Sequence, residues 1–209
     1  MRKLSLALLL VPSFAAAASF EDAFSGAWKS FHAAMPQAKF AAAADPNADA
    51  NRALYLLAHR GNQVEKKMAE LNTGVNNIAL LTDYLAGTEY GPKQIPEHLR
   101  SFSEEVAART KDFNELAQGA AAASSKVKAG NGSAAQAFAN QVLVLRSQTE
   151  ALEAFAAQLA AEVKKAEAKL GFESVYLSRE LVGEAKALKE LSDILVVASE
   201  EISSKAKGS

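Results

Sequence analysis

Apolar residues recur at alternating gaps of three and four along most of this chain, and residues 133–170 show the pattern most clearly. Only Thr149 interrupts it with a polar side chain. The apolar positions of this stretch are Phe138, Val142, Leu145, Leu152, Ala156, Leu159, Val163, Ala166 and Leu170. Such spacing predicts a long helix that packs lengthwise against other helices. Ser133 and Gln136 predict a capping box at its start.

Two further helices are predicted before this one. The first runs from Pro46 to Ala86, and the second begins at Pro96, because each carries the same spacing of apolar residues. Between them, residues 87–96 contain two glycines and two prolines, a composition that predicts a loop.

The path of the chain after Leu170 has two alternatives. A turn at Gly171 to Ser174 would give four helices, with Gly171 capping one helix and Phe172 packing back against it. The alternative is that the helix continues through Gly171, which would give a three-helix bundle. A glycine inside a helix lowers its stability by only about 1 kcal/mol, so Gly171 alone does not force a break. The fold class is therefore an all-α, elongated antiparallel helical bundle of three to four long helices. Ser203–Ser209 is expected to be a frayed polar tail or the start of a linker.

The sequence of the N-terminal region predicts that the protein is exported. Residues 1–18 have a charged start, a short apolar core and a small-residue cleavage site, as in a secretory signal peptide. The aromatic residues that follow, in residues 19–44, predict a short N-terminal helix on the bundle. The expected organisation is a signal peptide (1–18), one helical domain (19–206) and a polar tail (207–209).

Composition and charge narrow the functional classes. The chain of 209 residues has a formal net charge of −1 with both signs interspersed, which argues against a nucleic-acid partner. It has no cysteine, which excludes a disulfide framework. His32, His59 and His98 lie in separate segments and form no metal-binding or catalytic motif. We therefore expect no enzymatic activity, no catalytic, metal or cofactor-binding residues, no cofactor and no small-molecule substrate.

One modification motif is present. Asn131-Gly132-Ser133 is an N-glycosylation sequon at a predicted turn, which makes Asn131 the candidate glycosylation site in a eukaryotic secretory pathway. A glycine–asparagine turn followed by a serine cap explains the same residues without a glycan.

A cysteine-free, alanine-rich, exported chain of heptad helices with Lys128–Ser133 at a hairpin turn resembles a known group of proteins. It is similar to the glutamic acid/alanine-rich surface glycoproteins of African trypanosomes and, more distantly, to their haptoglobin–haemoglobin receptor. The resemblance implies a cell-surface protein whose only membrane attachment is a C-terminal glycosylphosphatidylinositol anchor, and whose partners are host or vector proteins. An anchor signal also requires a hydrophobic tail, which residues 203–209 do not supply.

The sequence thus supports three functional hypotheses. The first is a surface coat protein, the second a receptor for a host or nutrient protein on the same scaffold, and the third a bacterial periplasmic helical-bundle protein. A receptor should show a contiguous exposed apolar patch on one helix face, and outer faces with only charged residues would remove that support. With four helices, the loop at 87–96 is predicted to share the membrane-proximal end with an anchored C-terminus; with three, it is predicted at the distal end.

Overall fold

The computed structural model describes residues 47–208, which lie in the second of two units, Asp45–Ser209, into which the chain divides. The predicted signal peptide, the short N-terminal helix and His32 lie outside the described residues. The described residues form four helices: α1 (Ala48–Ala86), α2 (Gly91–Ser124), α3 (Gly132–Lys165) and α4 (Glu167–Lys207). At about 1.5 Å per residue, these helices are roughly 50 to 60 Å long. The prediction of long helices packed against one another is confirmed.

The apolar stripes form the buried interior. In α3, Phe138, Leu152 and Leu159 are at most 1% exposed, and full burial of such a side chain contributes about 1.5–3 kcal/mol. Thr149, the polar residue in this stripe, is also buried, and its Oγ1 lies 2.9 Å from the Ser192 Oγ of α4. The same Oγ1 lies 2.8 Å from the Arg146 carbonyl oxygen, so the polar position finds its hydrogen-bond partners within the bundle.

Each helix packs against two neighbours. Helix α1 contacts α2 and α3, and α4 contacts the same two helices from the opposite corner. Ion pairs show that α1 and α2 run in opposite directions, as do α3 and α4. Across α1 and α2, Arg60 pairs with Glu115 and Lys67 lies 3.9 Å from Asp112. Across α3 and α4, Arg146 lies 2.9 Å from Asp193 and Glu153 lies 3.6 Å from Lys189. In both pairs the residue numbers fall on one helix as they rise on the other. The two hairpins α1–α2 and α3–α4 therefore lie side by side.

The contact between α1 and α3 is parallel. Asn51 bonds Asn131 near the start of both helices, and Asn72 donates to the Gln148 side chain at 2.8 Å further along both. Residue numbers rise together, so these neighbouring helices point the same way. The predicted antiparallel arrangement holds for consecutive helices but not for this pair, nor for α2 and α4, where Arg100 pairs with Glu173 and the Ser124 hydroxyl donates to Glu201 at 3.3 Å.

The bundle has two chemically distinct ends. The turn end comprises residues 87–90 and 166–171, where both hairpins reverse, and the terminus end comprises residue 47, the connection 125–131 and residue 208. A bond from Asn131 to the Asn47 carbonyl at 3.1 Å holds parts of the terminus end together. The prediction that the loop after α1 shares an end with the C-terminus was wrong, because four helices return the chain to the end where it began.

The loop predicted at 87–96 is much shorter than expected. Helix α2 begins at Gly91, with Pro92 in its first turn and Pro96 within the helix. A proline in the first turn removes an N–H that would have no intrahelical partner. Complete burial of Ile95 and Leu99 offsets the bond lost at Pro96.

The predicted capping box at Ser133 is also wrong. Helix α3 begins one residue earlier, at Gly132, and its N-cap residue Asn131 makes no side-chain capping bond. Ser133 therefore lies inside the first turn, and Gln136 donates to Asn140 at 2.8 Å instead of reaching back.

Gly171 does interrupt the helix, so the continuous three-helix alternative is wrong. Helix α3 ends at Lys165, and Ala166 leaves the helical region. The range given for α4 contains a kink at Gly171, which has φ 80° and ψ 169°, so Glu167–Leu170 form a short helical turn before the main part of α4. The reversal starts before the predicted turn, and Ser174 is already helical, donating to the Leu170 carbonyl at 3.1 Å. Phe172 does not pack back, because it is 73% exposed.

The predicted frayed tail is mostly helix. Helix α4 continues to Lys207, and Ile202 and Ala206 extend its buried stripe with 0% and 5% exposure. Gly208 then ends the helix in the left-handed conformation, with φ 77°.

Candidate functional site

Large apolar side chains are exposed at the turn end. In α1, Leu80 and Tyr84 are 66% and 72% exposed, and Tyr90 in the following turn is 60% exposed. They are exposed because the stripe of α1 passes through Ala79, Thr82 and Ala86, which leaves these positions on the outer face of the helix. The signal was present in the sequence as large apolar residues outside the stripe, and our sequence analysis missed it.

A tight turn fixes the position of Tyr90. The Thr88 hydroxyl donates to the Leu85 carbonyl at 2.8 Å and accepts a bond from the Gly91 amide at 3.2 Å. One threonine side chain therefore forms hydrogen bonds with the last turn of α1 and with the first residue of α2. A Cβ atom on Gly91 would overlap the Leu85 carbonyl, so only glycine fits there.

Helix α4 adds Phe172 and Tyr176 to the same end. Glu173, between them, pairs with Arg100 of α2 on the surface. The Tyr176 hydroxyl donates to the Glu180 carboxylate, and this bond, with the negative charge of Glu180, raises the pKa of the phenol. Tyr176 therefore presents a protonated hydroxyl and an aromatic face, a combination common at protein contacts.

The distribution of exposed aromatic residues is uneven. Among the described residues, the exposed aromatic side chains are Tyr55, Tyr84, Tyr90, Phe172 and Tyr176. All except Tyr55 lie in the turn end or within about two helical turns of it, away from the terminus end. Exposed tyrosine and phenylalanine near chain reversals are suited to binding another surface rather than to chemistry.

Asn131, the candidate glycosylation site, lies at the terminus end and is fully buried. Its Nδ2 donates to the Asn47 carbonyl at 3.1 Å and to Asn51 Oδ1 at 2.8 Å, and its Oδ1 accepts from the Lys128 amide at 2.9 Å. A glycan on Nδ2 would have to replace one of these bonds and bring the side chain to the surface. The glycosylation prediction stays a prediction, with this physical argument against it.

The histidines within the described residues lie far apart. His59 faces solvent beside Gln63, and His98 stacks on Phe102 with ring centroids 6.2 Å apart. Between residues 47 and 208, no group of three or more histidine and acidic side chains is placed to hold a metal ion. Over the same residues, no helix has both the length and the apolarity to cross a bilayer.

No protein family, curated protein or solved structure matches this chain. The functional argument therefore rests on the geometry of the bundle and its two ends.

Proposed function

We propose that the protein is a non-enzymatic display module of the cell surface, with its terminus end toward the membrane and its turn end facing outward. The observation that carries the proposal is the concentration of exposed aromatic residues at the end opposite both described termini. Export by the predicted signal peptide and a C-terminal lipid anchor belong to the same proposal, since an anchor after residue 208 would attach at the terminus end.

This arrangement serves either of two surface roles. In a coat, parallel copies shield one another along their lengths, and the turn end is the part that the surroundings meet. In a receptor, the aromatic side chains of the turn end bind a host or nutrient protein. The exposed apolar residues favour the receptor, because a purely shielding tip needs no aromatic surface.

Oxidative footprinting on intact cells distinguishes the two roles. Hydroxyl radicals modify exposed aromatic rings, and mass spectrometry reads each site. A receptor engaged with its ligand should protect Tyr84 and Phe172 relative to the purified protein and leave Tyr55 unchanged. A coat should protect Tyr55 on the helix side and leave the turn end reactive. Equal reactivity of all these rings on cells and in solution would contradict both roles.

The orientation is tested by labelling single cysteines, because the natural chain has none. Glu89→Cys lies at the turn end and Ala129→Cys at the terminus end, and both positions are exposed. With a membrane-impermeant maleimide on intact cells, we expect strong labelling of the first variant and weak labelling of the second. Equal labelling would contradict a standing orientation.

A second candidate is a periplasmic helical-bundle protein of a bacterium, and the burial of Asn131 favours it. A fully buried amide with three hydrogen bonds is a structural residue and not an accessible glycan acceptor. In that case neither cysteine variant would be labelled until the outer membrane is permeabilised, and both would be labelled afterwards.

A further inference from the structure

A groove between α1 and α2 combines apolar walls with basic residues. Its volume is about 280 Å³, its walls include Gly119, Ala122 and Leu56, which is 59% exposed, and the charged residues that line it are Arg60 and Lys126. We call it the α1–α2 groove.

The segments that border this groove have a positive net charge. Residues 50–64 and 116–128 contain four arginines and lysines and no aspartate or glutamate. The acidic residues directly beside these segments are Asp49 and Glu115, and Glu115 pairs with Arg60. Because basic residues outnumber acidic ones here, the groove suits a helix surface with apolar side chains and acidic neighbours.

Helix α4 has such a surface toward its C-terminus. Ile194 and Val197 lie three residues apart on this helix and are 61% and 64% exposed. Residues 190–204 contain no lysine or arginine and four acidic residues, which are Glu190, Asp193, Glu200 and Glu201. We call this surface the α4 ridge. Lys189 and Lys205 flank it, so its net charge is negative, opposite to that of the α1–α2 groove.

The groove and the ridge lie at the same height along the bundle. Bonded side chains across the parallel helices α2 and α4 differ by 73 to 77 in residue number. At that offset, Ile194 and Val197 lie at the height of about residues 117–124, which include two groove residues, Gly119 and Ala122. Helix α4 occupies the corner opposite α1, so the ridge points away from the groove of its own chain. It can enter the groove of a neighbouring copy that stands beside it and points the same way.

We propose that the protein associates laterally with further copies of itself, through the α4 ridge of one copy and the α1–α2 groove of the next. The spacing of charges supports this occupant. Glu190 and Glu201 are 11 residues apart on α4, and Glu115, the partner of Arg60, is 11 residues from Lys126. In a parallel arrangement without axial shift, Glu201 therefore lies opposite Lys126 while Glu190 lies opposite Arg60.

The contact joins two different surfaces, so it does not close into a two-fold dimer. Each docked copy keeps one free groove or one free ridge, and repetition gives a row or a ring of parallel bundles. The inference goes beyond the display function, because it concerns the sides of the bundle and holds whatever the turn end binds.

Disulfide cross-linking of the full chain tests the contact, because the natural sequence has no cysteine. An equal mixture of the Val197→Cys and Ala122→Cys variants, oxidised in concentrated solution, should form a mixed covalent dimer, whereas each variant alone should remain mostly monomeric. A chain with both substitutions should form a ladder of larger oligomers. The matched control is Ala121→Cys in place of Ala122→Cys, because Ala121 is also exposed but does not line the groove.

Several cross-linking results would overturn the proposal. Equal yields with Ala121→Cys and Ala122→Cys, or no cross-link at all, would show that the groove does not receive the ridge. Efficient cross-linking of Val197→Cys with itself would show a two-fold contact instead. Protection of the Ala122→Cys thiol on cells, without any cross-link between copies, would mean that another protein occupies the groove.

A charge exchange tests the register of the contact. In sedimentation equilibrium, Lys126→Glu and Glu201→Lys should each weaken self-association about fivefold, and a chain with both substitutions should recover most of the loss. Lys111→Glu is the control, because this exposed lysine of α2 does not line the groove and the change in net charge is the same. Circular dichroism checks that each variant folds.

A double variant that associates no better than the single ones would overturn the proposed contact, as would equal losses for Lys126→Glu and Lys111→Glu. Self-association can fail while the turn end is still labelled on cells, so this failure is distinguishable from failure of the display proposal.

Discussion

At the turn end the chain reverses within residues 87–90 and 166–171. Gly91 allows the first reversal because a Cβ atom there would overlap the Leu85 carbonyl, and Gly171 allows the second with its positive φ. At the terminus end, residues 125–131 cross the diagonal between α2 and α3, and the buried amide of Asn131 holds them in place. The short turns leave the outer faces of their helices uncovered, so Tyr84 and Phe172 stay exposed. The diagonal crossing buries the polar side chain of Asn131, although most of its other residues are exposed. The two kinds of connection therefore differ in what they place near the ends of the bundle, which is exposed aromatic rings beside the short turns and a buried amide in the crossing.

The largest expected change in stability comes from a substitution in the tight turn between α1 and α2. Gly91→Ala should lower the free energy of unfolding by about 3 kcal/mol, because the added methyl group overlaps the backbone of Leu85, which cannot move aside. Urea unfolding followed by circular dichroism measures the change. Gly183→Ala, in the exposed middle of α4 with open space around it, should instead raise stability by about 1 kcal/mol. An unchanged midpoint for the Gly91 variant would mean that the turn is not as close as described.

The next largest change in stability is expected from a substitution at the terminus end. Asn131→Ala removes three hydrogen bonds and leaves the Asn47 carbonyl and the Lys128 amide without their side-chain partner, which should cost about 2 kcal/mol. Asn140→Ala is the control, since that exposed amide bonds only Gln136 and should change stability by less than about 0.5 kcal/mol. Similar values for the two variants would contradict the role of Asn131 in holding the connection.

A smaller effect concerns the middle of the bundle, between the two ends. Thr149→Val and Ser192→Ala each remove one hydroxyl of the buried pair, and a double-mutant cycle should show a coupling energy of about 1 kcal/mol. Each hydroxyl also lies near a carbonyl of its own helix, at Arg146 or Lys189, so neither single variant should unfold the protein. Strict additivity would show that the two hydroxyls do not interact.

The smallest effects are those of pH, and they differ between the ends. Hydrogen bonding and attraction to Lys205, with a bond from Ser124, lower the pKa of Glu201 below its ordinary 4.5. Its stabilising effect on the terminus end is therefore present above about pH 4.5 and is lost as pH falls through the lowered pKa. The pKa of Tyr176 is raised above 10.0, so its effect at the turn end is present below that pH and is lost as pH rises further.

Carboxyl and phenol titrations followed by NMR measure both groups. Lys205→Met should bring the pKa of Glu201 back toward its ordinary value, and Glu180→Gln should do the same for Tyr176. If the pKa of Glu201 is the same in the Lys205→Met variant as in the unmodified protein, the ion pair between the two residues is contradicted.

Much of the fold follows from local pattern. The end of α1 at Ala86 was predicted correctly, because the stripe and the following Gly87 are both local signals. The start of α2 was misplaced at Pro96, since a proline early in a helix looks the same in sequence as a proline in a loop. The parallel contact of α1 with α3 was not predicted, because a heptad stripe is identical for parallel and antiparallel neighbours.

The candidate surfaces were harder to predict. Tyr84 lies outside the apolar stripe of its helix, so its exposure can be predicted from the periodicity of the sequence. That it lies at the same end as Phe172 can be predicted only when the directions of all four helices are known. Asn131 was singled out for its sequon, whereas its burial depends on contacts with Asn47 and Asn51 far away in the chain. Long-range placement of this kind has no local signal.

The parallel pairs also give the bundle a lateral electrical polarity. A helix carries partial positive charge at its N-terminus and partial negative charge at its C-terminus, about half an elementary charge each. At the turn end, the negative ends of α1 and α3 lie side by side, and the positive ends of α2 and α4 face them across the bundle. The pattern is reversed at the terminus end. A charged molecule that approaches either end therefore meets two opposite half-faces, which favours one rotation of that molecule about the bundle axis.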